Sequence, residues 1–165
     1  MIESIKTVIN ALREELEQYG EMIALLDRQR QQVTARAAEE VFQSIGLIRA
    51  QGVAIQNART HREKCCAEMA RAFAREEDAP FTDLIPLLPP DYRPLLQALV
   101  EENNELLVRV RQRARQNHLL LSRSLELMAG LINTLFPARE TRVYNDHGSM
   151  SVRGLGMHSM YEAVG

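Results

Sequence analysis

A chain of 165 residues, 45% hydrophobic and 25% charged, suits one folded domain. Its formal net charge of -2 argues against a nucleic-acid or anionic-membrane partner, since phosphate binding needs a concentrated basic surface. Tryptophan is absent and aromatics are 5%, while Leu, Ala, Glu, Gln and Arg dominate. These side chains lose little freedom in a helix, so the expected class is all-α.

The amino terminus, Met1-Ile2-Glu3-Ser4-Ile5-Lys6, carries an early acid and no continuous apolar block. Neither a signal peptide nor membrane insertion is expected, and the cytoplasm is the default compartment. Ile2, Ile5, Ile9, Leu12, Leu16, Tyr19, Ile23 and Leu26 alternate by three and four, which lays a seam along one helix face over about residues 2–31. Arg13, Glu14, Glu17, Glu21 and Arg28 line the other side, so this helix needs a packing partner. Val33 and Thr34 read as a staple and an N-cap for a second helix over about 35–76, with Val41, Ile45, Ile48, Ile55, Cys66, Met69 and Phe73 on its apolar side. Gly46 and Gly52 within it mark close packing or a tolerated cost, with a functional hinge as the lesser reading. Cys65 and Cys66 are adjacent, diverge on a helix and have no zinc-ligand spacing around them, so neither a disulfide nor a metal is expected.

Pro80, Pro86, Pro89, Pro90 and Pro94 forbid a long helix and define a connection over about 79–90. Thr82 is a candidate cap for a short turn there, and Asp91 for a last long helix over about 91–136 that keeps Pro94 in its first turn. That helix has a wide apolar face, from Leu96, Leu99, Val100, Leu106, Leu107 and Val110 through Leu120 and Leu121 to Leu127, Met128, Leu131 and Leu135. Asn103, Asn117 and Ser124 interrupt it at the heptad position of Leu96, Val110 and Leu131, where a polar residue sets register or meets a bound protein. Arg109, Arg111, Arg113 and Arg115 alternate onto two flanks, which favours solvation over a nucleic-acid stripe.

No chemistry-bearing pattern emerges. None of His61, His118, His147 or His158 follows a Glu by three residues, and there is no phosphate loop, His-Glu-x-x-His or Gly-x-Ser-x-Gly. His61 and Cys66 point to different sides of a helix. No catalytic residue, cofactor or metal is expected, and His118 reads as a partly buried imidazole.

After Pro137 the chain turns rich in Gly and Ser, which predicts a helical domain over about 1–137 and a mobile tail over 138–165. Two stretches carry a family likeness: Asn117-His118-Leu119-Leu120-Leu121-Ser122-Arg123-Ser124-Leu125-Glu126, and the tail spacing Tyr144, Gly148, Ser151, Val152, Gly156. Together they resemble the bacterial flagellar export chaperones of the FlgN type. The lysine that relatives often carry in the second helix has no counterpart near Ser44-Ile45-Gly46-Leu47, and the tail ends without the basic residues common in the family.

The resemblance implies an extended, coiled-coil-like antiparallel bundle of three long helices with a short helical connection and a flexible C-terminal tail. It further implies a non-catalytic cytoplasmic chaperone of the hook-filament junction proteins FlgK and FlgL, covering their amphipathic terminal helices in a helix-in-groove mode. Cargo would then meet Asn117, Leu120, Leu121, Ser124, Leu127, Met128, Leu131 and Leu135, while Tyr144 and Gly148 match the family's docking segment for the export gate protein FlhA. The rival reading is a helical scaffold or adaptor whose stripes drive self-association. Oligomerisation of the free chain stays open on either.

Overall fold

The computed structural model describes residues 2–76 and 79–135, which form four α-helices and one 3₁₀ turn. The helices are α1 (Ile2–Thr34), α2 (Ala38–Ala72), α3 (Phe81–Leu84) and α4 (Arg93–Leu135), with the 3₁₀ turn at Ile85–Leu87. No strand occurs among the described residues. The chain divides into two compact units, Met1–Arg123 and Ser124–Gly165.

The three-four seam of α1 folds as its spacing requires. Ile5, Ile9, Leu12, Tyr19 and Leu26 are buried, joined by Val8, Ala11 and Met22. Two polar side chains, Glu15 and Gln29, are buried with them, and Ile2 is exposed. α1 ends at Thr34, whose hydroxyl donates to the Arg30 carbonyl, so Thr34 closes one helix instead of capping the next. The chain reverses at Arg36, held at φ 57°, where the Arg36 and Ala37 amides donate to the Val33 and Gln32 carbonyls. The same pattern ends α2, with Ala74 at φ 53° and amides of Ala74 and Arg75 on Arg71 and Ala70. This Schellman geometry favours glycine at the left-handed position, because a Cβ there crowds the following carbonyl. Arg36→Gly and Ala74→Gly are each expected to stabilise the fold by about 1 kcal/mol, read as a rise in thermal midpoint; an unchanged or lower midpoint would contradict that.

α2 begins after Ala37 without a side-chain cap, and Glu39 and Glu40 in its first turn complement the helix dipole. Its buried residues are Ser44, Ala58, Cys65, Met69 and Ala70, a smaller and more polar set than the apolar pattern implies; Ile45 is exposed. A Cβ added at Gly46 or Gly52 meets nothing within 4 Å, so neither glycine marks a close helix approach.

Cross-helix bonds set direction and register. Between α1 and α2 they join Gln29 to Ser44, Gln18 to Gln51 and Glu14 to His61, so the two helices run antiparallel. Asn103 donates to the Leu12 carbonyl and Asn117 to that of Leu26, both at a sequence offset of 91, so this part of α4 follows α1 in the same direction.

The apolar core gathers where α1 starts and α2 ends: Ile5, Val8, Leu12, Met69, Ala70, Leu96 and Leu99 pack with Leu84, Ile85 and Leu88. The proline-rich connection is therefore part of the core, and its prolines let a short α-turn and a 3₁₀ turn insert three apolar side chains. Pro94 sits in the first turn of α4, as its missing N–H permits, and Arg93 Nε donates to the Leu88 carbonyl at 2.7 Å.

Candidate functional site

Along the bundle the interior turns polar. The Glu15 carboxylate, 5% exposed, accepts from the Tyr19 hydroxyl at 2.8 Å and lies 2.6 Å from Arg62 Nε. Burial, with the Glu15 carboxylate beside it, pushes the Tyr19 phenol up to about 12. Nearer the α1–α2 turn, Asn117 is 3% exposed; its amide nitrogen donates to the Leu26 carbonyl at 2.7 Å and to Gln29 Oε1 at 3.1 Å. Gln29 in turn donates to Ser44 Oγ at 3.0 Å. One polar layer thus ties α1, α2 and α4 together, and Asn103 ties α4 to α1 again at the Leu12 carbonyl, its second bond going to Leu99 of its own helix.

Buried amides at single seam positions fix register at a cost in stability. The carbonyl oxygens Asn103 Oδ1 and Asn117 Oδ1 bear that cost, being buried without a partner.

The other residues suggested for binding divide by exposure. Leu121 and Ser124 are half-buried, and Leu120 sits at the margin of exposure. Leu127, Met128, Leu131 and Leu135 are open to solvent, Leu127 at 76% and Leu131 at 59%. Leu119, Leu125 and Ile132 are exposed as well and were absent from the suggested set. His118, expected partly buried, is exposed. Tyr144, Gly148 and the whole predicted tail lie outside the described residues.

The arginine run divides between flanks: Arg109 pairs with Glu105 on its own helix and Arg113 reaches Asp27 of α1 at 3.3 Å. Cys65 is buried and Cys66 half-buried; burial raises both thiols, that of Cys66 to about 11, which leaves little thiolate near neutrality. Among the described residues no group of three or more His, Cys, Asp or Glu is placed to hold a metal ion. No helix among them is long and apolar enough to cross a membrane.

What these features define is a helical protein whose open apolar side chains line the end of one long helix, a surface suited to binding protein, since contiguous exposed apolar area marks interaction sites. The FlgN protein family model matches residues 1–151, and the chain belongs to that family of flagellar chaperones. Comparisons with curated proteins and with solved structures give no match.

Proposed function

We propose that this chain is a non-catalytic cytoplasmic chaperone of flagellar type III export. It holds the amphipathic terminal helices of the hook-filament junction proteins FlgK and FlgL, prevents their premature association and delivers them to the export gate protein FlhA. The observation that carries the reading is the exposed face of α4, Leu127, Met128, Leu131 and Leu135, in a member of the FlgN family. Leu120, Leu121 and Ser124 are assigned to cargo as well; Asn117, assigned with them from the sequence, is buried and bonds to Leu26 and Gln29. Such a face matches the apolar side of an amphipathic helix, and the flexible thioether of Met128 can accommodate more than one cargo. An extended antiparallel bundle of three long helices is the scaffold this reading assumes.

Calorimetric titration with FlgK tests it. Saturable binding in a discrete heteromer is expected, and a lack of binding would favour the self-associating scaffold instead. Delivery is assigned to Tyr144 and Gly148. Tyr144→Ala is expected to bind FlgK as tightly as the intact protein and to dock poorly on FlhA; normal docking and export in that variant would remove the role.

A further inference from the structure

The outer side of α4 carries a second seam. Glu101, Glu105, Val108, Gln112, Arg115 and Leu119 alternate by four and three, the spacing that keeps residues on one helix face. At about 100° per residue they fall within an arc of about 80°, on the side opposite Leu99 and Asn117, which are buried. All six are exposed, among them two apolar side chains, Val108 at 62% and Leu119 at 53%.

Charge is sorted along this seam. Glu101 and Glu105 hold one end, while Arg115 and Arg123, a turn beyond Leu119, hold the other. A helix face that meets only water gains from opposite charges four residues apart. Here that spacing joins like charges, Glu101 with Glu105 and, beside the seam, Arg111 with Arg115. Glu105 has a contact with Arg109 at 3.7 Å, open to solvent, and Glu101, Arg115 and Arg123 make no ion pair among the described residues.

We propose that this seam is the contact face of a homodimer, in which α4 of a second copy lies antiparallel along it. Charge complementarity selects this occupant. Reversal about a two-fold axis between Val108 and Gln112 sets Glu101 and Glu105 of each copy against the stretch from Arg111 to Arg123 of the other, twice over. Val108 lies at the centre, where the second helix covers it. A parallel pair in register would instead stack acid on acid and arginine on arginine. The contact uses the same patch on both copies, so it closes at two. All of its residues belong to the unit Met1–Arg123, and none of them is assigned to cargo.

Sedimentation velocity of the full chain tests the dimer. Dimers are expected at low ionic strength, and self-association should weaken at least about tenfold in about 0.5 M sodium chloride, which screens exposed charges. Two double variants, Glu101→Arg with Glu105→Arg and Arg115→Glu with Arg123→Glu, are checked for folding by thermal melts. Each alone is expected to self-associate at least about tenfold more weakly than the parent, and the two mixed in equal amounts should pair with each other. Direction is read from Glu101→Cys and Leu119→Cys with a bismaleimide, the joined peptides being mapped by mass spectrometry. Mixed, these two variants should be joined to each other at the new sites, and Glu101→Cys alone should not be joined to itself there. A Glu101→Cys pair joined to itself would mean parallel helices and overturn the proposal. So would a parent that stays monomeric up to about 100 µM, or dimers that salt and both charge variants leave unchanged.

Discussion

Arg62→Ala is expected to cost the fold about 3–5 kcal/mol. The Glu15 carboxylate is 5% exposed and the Arg62 side chain 22%, so the variant strands a negative charge in the interior with only the Tyr19 hydroxyl to solvate it. Arg62 also reaches Glu63 at 3.8 Å, but that pair is half open to water and contributes little. The double variant Glu15→Leu with Arg62→Met removes both charges and fills the space with apolar atoms. It is expected to recover most of the loss, because replacing a buried pair by hydrophobic residues is often neutral or better. Urea unfolding of the two variants measures this; a single variant within about 1 kcal/mol of the parent would show that water reaches the pair and screens it.

The largest expected functional effect is the loss of cargo binding in Met128→Asp with Leu131→Asp. Both side chains are more than half exposed in the free protein, so their replacement removes little internal packing, and the thermal midpoint should move by no more than a few degrees. In a complex with an amphipathic helix the same positions would be dry, and two unpaired carboxylates there would each oppose burial by several kcal/mol. Binding of FlgK should weaken at least about a hundredfold, measured by calorimetry alongside a melting curve. Unchanged affinity would exclude this face; a collapse in stability would mean that it packs internally.

The long helices were legible because their apolar residues recur at three and four, and the α1 seam from Ile5 to Leu26 is buried largely as read. The buried polar groups were not. Glu15 looks like a surface residue until Arg62 arrives from α2, and Gln29 until Ser44 and Asn117 meet it, since burial of a polar side chain depends on partners distant in the chain. Asn117 did stand out at its heptad position, as either a register device or a partner contact, and its amide bonds to Leu26 and Gln29 satisfy the first role. Leu84, Ile85 and Leu88 were hidden by the prolines around them: a stretch unable to form a long helix still delivers three side chains to the core. At the candidate site, the wide apolar face read for α4 included Leu127, Met128, Leu131 and Leu135 and left out Leu125 and Ile132, which are exposed as well. The docking assignment of Tyr144 and Gly148 came from the family likeness alone.

Amide hydrogen exchange of the full chain, free and saturated with FlgK, tests most directly whether cargo sits on the distal face of α4. Amides between Ser124 and Leu135 should exchange quickly in the free protein, where the side chains over them are open, and slow markedly in the complex. Saturable binding that leaves those amides unchanged and protects α2 or another surface instead would contradict the account.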